Sequence, residues 1–274
     1  MFESFLITFR ETLEASLVVF IILSYLKKTG QSRNNFIVYA GVIGAVIVSA
    51  IAAWFFQTIA GGLTGEVEEI FEGTTMILAA ILLTTMIIWM AHAKHVQHQI
   101  EARVAVELSD RHRLGLFAVV FIAVLREGVE TVIFLGAIAM RGANQGFLGA
   151  LLGIFTAAFL GYFLFAGAKR MGLKTFFRVT SALLIFFAAG LIAHGIHEFQ
   201  EVGWIPFWSQ EAWNTAAFLS EKSVIGSIFK GVFGYNENPS ILEVAAYIGY
   251  LLLMLLYSVV SRHRDLSKRS ALAK

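Results

Sequence analysis

The chain has no cysteine, and this absence excludes several kinds of site. Without thiols it forms no disulfide, no thiolate-bound metal site and no cysteine-held iron–sulfur cluster. The phosphate-binding loop G-x-x-x-x-G-K-[ST] is also missing, so the sequence offers no such nucleotide site to drive a reaction. Apolar residues, by contrast, are abundant.

Charge is scarce, at 15% of 274 residues, while 58% are hydrophobic. A helix that crosses a bilayer needs about 20 consecutive apolar residues. Windows of this length occur at 4–26, 36–60, 70–91, 115–140, 147–168, 179–198 and 241–260. Because Glu3 precedes any Lys or Arg, we predict that the first window is a retained span and not a cleaved signal. We therefore predict an all-α membrane protein, a single integral membrane domain over 1–274 with seven transmembrane helices.

The Lys and Arg residues fall mainly in alternate connections and in the tail, 261–274. The opposite connections hold only Arg141, Lys222 and Lys230. Cytoplasmic loops carry the basic excess, so this pattern predicts an outer N-terminus and an inner C-terminus. Anionic lipid at the inner surface accounts for the basic face.

Two copies of the pattern R-E-x-x-E lie inside predicted spans. Arg10, Glu11 and Glu14 form the first copy, in span one. Ionisable residues at membrane depth are expensive, and their default interpretation is a substrate or ion pathway. Paired salt bridges between the spans are the alternative, but two carboxylates would then stay unpaired. The second copy, in span four, consists of Arg126, Glu127 and Glu130.

Spans one and four run in opposite directions under this topology, which indicates an inverted repeat of three plus three spans with a seventh appended. The predicted divisions are repeat one 1–91, cytoplasmic connection 92–114, repeat two 115–198, outer interfacial loop 199–240, seventh helix 241–260 and the basic tail. Glutamates three residues apart share one helix face, so four carboxylates can point into one cage near the midplane. Oxygen ligands of this kind favour hard cations such as ferric iron, manganese, magnesium or calcium.

The doubled motif resembles the oxidase-dependent high-affinity iron permease family, in its short bacterial branch. Further similarity lies at Phe71-Glu72-Gly73, Ala188-Ala189-Gly190-Leu191 and Phe233-Gly234-Tyr235. The first copy departs from the family pattern, with Thr12 where Gly128 stands in the second. We therefore do not expect the two halves to contribute equally.

The resemblance implies that iron, oxidised outside by a separate ferroxidase or peroxidase, passes inward through the motif glutamates, with the two arginines beside them. It implies iron as transported substrate, no tightly bound cofactor, no enzymatic activity and an external iron-binding partner. It also implies a multi-pass protein of the bacterial inner membrane, in contact with lipid and not with nucleic acid.

Other polar clusters carry two interpretations each. Glu66, Glu69 and Glu72 at the outer start of span three either recruit cations or complement the helix dipole. His194, His197 and Glu198 at the outer end of span six either bind metal or form an amphipathic edge. His92, His95 and His98 beyond span three either receive iron on exit or belong to a solvated helix. The loop 199–240 is rich in tryptophan and is predicted to form short interfacial helices.

Two other functions are alternatives to an iron permease. A proton-coupled carrier for another divalent cation, such as manganese, would use the same carboxylates. An intramembrane glutamate protease would need an asymmetric catalytic centre, whereas the glutamates here occur in two symmetric copies.

Overall fold

The computed structural model of the chain describes residues 1–92, 104, 113–140, 146–166, 173–221 and 223–272. Within these ranges the backbone is helical apart from connections and one isolated bridge between Glu211 and Ser240, which confirms the all-α prediction. The helices are α1 (Phe2–Lys28), α2 (Asn35–Ala60), α3 (Glu66–His92), α4 (Arg113–Met140), α5 (Gly146–Ala166), α6 (Leu173–Glu201), α7 (Val224–Phe233) and α8 (Ile241–Leu272).

Each apolar window predicted from the sequence overlaps one of the long helices. Among the residues that the structure describes, four helical stretches are long and apolar enough to cross a membrane: 32–60, 66–89, 180–201 and 241–261. A helix suits this environment because it satisfies its backbone hydrogen bonds internally. Helices α1 and α4 differ in carrying the charged motifs in their interior, and α5 is apolar over a shorter stretch, Gly146–Tyr162. The count of seven spans stays a prediction.

Residues 1–68 and 85–180 form one compact unit, the first unit. In it α1 packs along α5, α2 packs along α4, and α1 also contacts α4. The α1–α5 contact is close because Gly153 has no side chain and lies against Thr8 and the backbone of Phe5. The Thr8 hydroxyl donates a hydrogen bond to the carbonyl of Ala150 at 3.0 Å. Small residues thus bring the two backbones together, as is usual between helices in membranes.

The two main helix pairs of the first unit are packed in equivalent ways. Helix α2 contains Gly41-Val42-Ile43-Gly44-Ala45, and α5 contains Gly146-Phe147-Leu148-Gly149-Ala150. A Cβ placed on Gly41 would lie 3.1 Å from the Cβ of Val120 in α4, and one on Gly146 would lie 3.3 Å from the Oγ of Ser4 in α1. Superposing the two R-E-x-x-E copies matches Ser4 with Val120. The packing of α1 against α5 therefore repeats that of α4 against α2.

Residues 69–84 and 181–274 form the second unit. Its short helix α7 begins at Ser223, whose side chain accepts a hydrogen bond from the Gly226 amide at 3.0 Å, and ends at Gly234 in the left-handed conformation, φ 66°. Gly234 lies directly against Gly190 of α6. The Phe233 and Phe186 rings meet edge to face, 5.5 Å apart. In the predicted outer loop, 199–240, the C-terminal end of α7 therefore packs against the middle of α6.

We expect Gly153→Ala to destabilise the first unit, because its Cβ would meet the Thr8 side chain and backbone atoms of α1 that cannot move aside. Overpacking of this kind costs about 1–3 kcal/mol. The matched control is Gly249→Ala in α8, where nothing lies within 4 Å of the new Cβ and helix propensity favours alanine by up to about 1 kcal/mol. Thermal unfolding in detergent should separate the two variants in opposite directions. Equal melting temperatures would contradict the close approach of α1 and α5.

Candidate metal site

The two R-E-x-x-E copies lie on α1 and α4 of the first unit, and the structure brings their glutamates together. One carboxylate oxygen each from Glu11, Glu127 and Glu130 lies within 4.8 Å of the other two. Glu11 and Glu127 are buried, and Glu130 is partly buried. Residues separated by more than a hundred positions thus form one group of oxygen ligands, which suits a hard cation.

The fourth predicted glutamate, Glu14, lies outside that triad and is held by the arginine of its own copy. Its Oε1 is 2.9 Å from Nη2 of Arg10, and Nη1 of Arg10 is 3.0 Å from Oε1 of Glu11. Arg10 is completely buried, and its Nη1 also contacts the sulfur of Met86 in α3. The guanidinium therefore bridges both glutamates of the first copy in a geometry that only a fork of donors provides.

The arginine of the second copy is placed differently. The Arg126 side chain is 55% exposed, whereas that of Arg10 is fully covered. Nε of Arg126 donates to Glu127 at 3.0 Å, but its distance to Oε1 of Glu130 is 3.7 Å. Its guanidinium stacks over the indole of Trp89, 5.5 Å from the ring centroid, a favourable cation–π position. Glu130 is consequently less tightly bound to its arginine than Glu14 is.

The middle position of each motif also differs, as the sequence suggested. A Cβ on Gly128 would overlap the side chain of Ser49 in α2. Glycine is thus required in the second copy for α2 to approach α4. Thr12 in the first copy is partly buried, so the two halves are not interchangeable at this position.

Two buried carboxylate oxygens at the centre of the site have no hydrogen-bond partner in the part of the chain that the structure describes. They are Oε2 of Glu11 and Oε2 of Glu127. Oε1 of Glu14 likewise has no hydrogen bond there, although it forms an ion pair with Arg10 at 2.9 Å. Leaving a buried acceptor unsatisfied costs about 1–3 kcal/mol, more for a charged group. A cation bound by these oxygens would remove that cost, so the donor set fits a metal ion.

The outer residues predicted to recruit cations differ from one another in burial. Glu66 is exposed at the start of α3, and Glu69 and Glu72 are partly buried. In the second unit Glu198 lies close enough to Glu72 for their charges to interact. The buried His194 ring places Nδ1 3.1 Å from the carbonyl of Gly190.

His197 belongs to a hydrogen-bonded cluster in the second unit. Its Nδ1 is 2.9 Å from Oε1 of Glu243, and its Nε2 is 3.2 Å from Oε1 of Glu201. Glu243 is buried and also accepts hydrogen bonds from the Asn236 amide group at 2.9 Å and from the Ser240 backbone at 3.0 Å. Both ring nitrogens of His197 therefore face carboxylates, which suits a structural role better than metal binding.

Sequence reasoning did not single out three residues that shape these clusters. Glu243 closes a capping box with Ser240, a pattern readable as S-x-x-E before an apolar run. Met86 and Trp89 contact the motif arginines, but nothing in the sequence distinguishes them from other apolar residues of α3. Among the predicted exit residues, His92 is the last residue of α3, while His95 and His98 lie outside the described residues.

Comparisons with known proteins find similarity over nearly the whole chain. The model of the family described as "Iron permease FTR1 family" matches residues 1–263. The ferrous iron permease EfeU of Shigella sonnei (strain Ss046) is 37% identical over 278 residues, covering 99% of this chain and 100% of the relative. EfeU of Escherichia coli O157:H7 shows the same values. EfeU of Yersinia pestis is 36% identical over 256 residues, covering 92% and 91%. No solved structure matches the chain significantly.

We expect Glu243→Ala to lower thermal stability markedly, because it leaves the buried cluster of His197, Asn236 and Ser240 without its shared acceptor, at a cost of about 1–3 kcal/mol. Glu201→Gln is the control: its side chain is half exposed, and exposed ion pairs contribute about 0–1 kcal/mol. Thermal unfolding of the purified variants measures both. If His197 binds iron instead, Glu243→Ala would impair iron uptake at temperatures where the variant remains folded.

Proposed function

The chain belongs to the iron permease FTR1 family, and from this premise we propose that it carries iron inward as the ferric ion, through the carboxylates of its two R-E-x-x-E copies. Family membership and its apolar helices make it a multi-pass protein of the bacterial inner membrane, a transporter rather than an enzyme, with iron as substrate. The proposal concerns the form of the iron, its path and its partners.

One observation carries the proposed path: glutamates from both motif copies meet in a single group. The ligands are carboxylate oxygens, hard donors that match ferric iron better than a softer ion. Four glutamates and two arginines leave a net charge of about minus two when all are ionised, which a multivalent cation offsets. The two arginines limit the affinity of the site for a cation through their positive charge, which allows the ion to leave.

The proposed topology has seven membrane spans, formed by α1 to α6 and α8, with the N-terminus outside and the C-terminus inside. The distribution of basic residues supports this orientation. The equivalent packing of α1 on α5 and of α4 on α2 supports an inverted repeat of three plus three spans, which places the motif glutamates near the midplane. Helix α8 is then the appended seventh span.

We further propose that iron is oxidised before transit by a separate ferroxidase or peroxidase outside the membrane and delivered by an iron-binding partner. The relatives are named ferrous iron permeases, and external oxidation would connect a ferrous supply with transit as the ferric ion. Glu66, Glu69, Glu72, His194 and Glu198 are the proposed recruiting residues on the outer side. The proposed exit stripe is His92, His95 and His98. No resident cofactor takes part.

The substitutions Glu11→Gln and Glu127→Gln should each reduce uptake of radioactive iron by iron-starved cells to the level of cells without the permease. Glutamine keeps the side-chain shape and removes the charge that the ion needs. Glu68→Gln, at an exposed position in the first turn of α3, is the matched control and should transport normally. Membrane levels of each variant are measured alongside. Normal uptake by both Glu11→Gln and Glu127→Gln would refute the proposed path.

The same assay distinguishes the metal. Unlabelled iron should compete with the label, and an equal concentration of manganese should not. Complete competition by manganese together with no competition by iron would favour the divalent-cation carrier.

The absence of cysteine makes the topology directly testable. Ser32→Cys and Thr64→Cys introduce single thiols at exposed positions in successive connections. In intact spheroplasts a membrane-impermeant maleimide should label Thr64→Cys and should label Ser32→Cys only after permeabilisation. The reverse pattern would invert the proposed orientation.

A further inference from the structure

The central site is nearly symmetric in its glutamates. Superposing the motif copies exchanges Glu11 with Glu127 and Glu14 with Glu130. The triad in the structure contains both first glutamates, Glu11 and Glu127, and one second glutamate, Glu130. The same repeat relation generates a second triad of equal composition, in which Glu14 replaces Glu130.

The arginines explain which triad is formed. In the first copy Arg10 holds Glu14 at 2.9 Å and is fully buried. In the second copy the Arg126 to Glu130 distance is 3.7 Å, and Arg126 is half exposed and stacked on Trp89. Glu14, which has the shorter contact with its arginine, is outside the triad. Glu130, which has the longer contact, is inside it.

We propose that the metal site exchanges one ligand during transport: Glu11 and Glu127 bind the ion throughout, while Glu130 and Glu14 bind it in turn, each when its own motif arginine releases it. This rests on the proposed function and adds the order of events at the site. Arg10 and Arg126 are positioning residues that act through the second glutamates.

The geometry makes the exchange inexpensive. Oε2 of Glu11 and Oε2 of Glu127 are buried without hydrogen-bond partners in the described ranges, so these oxygens are available to the ion in either arrangement. One arginine–glutamate contact forms as the other loosens, and the number of charges facing the ion stays the same. In transporters built from inverted repeats, one repeat rocks against the other around a site near the midplane, and here that motion would loosen one arginine–glutamate contact while it tightens the other.

The test compares binding with transport in four isosteric variants. Binding of ferric nitrilotriacetate to purified protein is measured by equilibrium dialysis, and uptake of radioactive iron is measured in cells. Glu11→Gln and Glu127→Gln should weaken binding by at least about tenfold, since losing a ligand costs no less than losing a supporting partner. Glu14→Gln leaves the triad with Glu130 complete, and Glu130→Gln leaves the triad with Glu14 complete. The apparent affinity of each variant should therefore be lowered only in proportion to the fraction of molecules that hold the remaining triad. All four should lose uptake.

The double variant Glu14→Gln/Glu130→Gln has no complete triad and should bind as poorly as Glu11→Gln. Equal loss of binding in all four single variants would establish a fixed four-carboxylate site and overturn the exchange, with the proposed function intact. Normal uptake by Glu14→Gln would also overturn it, because the observed triad would then suffice. Failure of the wild-type protein to bind or transport iron would instead refute the proposed function itself.

A conservative change tests the arginines. Arg10→Lys keeps the positive charge but cannot bridge Glu11 and Glu14 as the guanidinium does. It should bind iron at least as tightly as the wild type while transporting it more slowly, a separation that a merely structural role would not produce. Size-exclusion profiles show that the variant is folded. Loss of binding in folded Arg10→Lys, or wild-type uptake, would contradict the positioning role.

Discussion

The cost of burying charged side chains inside apolar helices governs the organisation of the first unit. A charged side chain at the centre of a lone membrane helix costs on the order of 3 kcal/mol, and the two motif copies place six charged residues in the interior of α1 and α4. Arg10, bound to Glu11 and Glu14 and sealed by Met86, shows how that cost is reduced: charges are paired and kept inside the protein. Buried pairs stabilise a fold poorly compared with apolar packing, so stability alone does not account for these charges.

Glycine contacts hold these charges in position. Gly153 brings α5 against α1, and Gly128 brings Ser49 and α2 against α4. The charged faces of α1 and α4 meet as a result, and the triad of Glu11, Glu127 and Glu130 is assembled by helix packing rather than by any one loop. Packing between helices fixes the positions of these carboxylates. The unequal contacts of Arg10 and Arg126 leave Glu14 and Glu130 in different surroundings.

The second unit follows another principle, in which polar groups satisfy one another. The carboxylate of Glu243 is hydrogen-bonded to His197, to the Asn236 side chain and to the Ser240 backbone amide. Glu221 and Glu237 each accept a hydrogen bond from the other's backbone amide, which braces the stretch that leads into and out of α7. His197, one of the predicted outer residues, is thereby hydrogen-bonded within this cluster, whereas Glu11 and Glu127 of the first unit keep oxygens without hydrogen-bond partners in the described residues.

The sequence by itself determined the helices, the class of protein and the motif residues. These follow from local quantities: the length of apolar runs, the spacing of charges along a helix and the cost of charge in lipid. Only the tertiary structure decided that Glu14 is held by Arg10 while Glu130 joins the triad, that Met86 and Trp89 contact the arginines, and that Glu243 occupies His197. These depend on distances between residues far apart in the chain, and identical motif letters carry no information on which copy is buried more tightly.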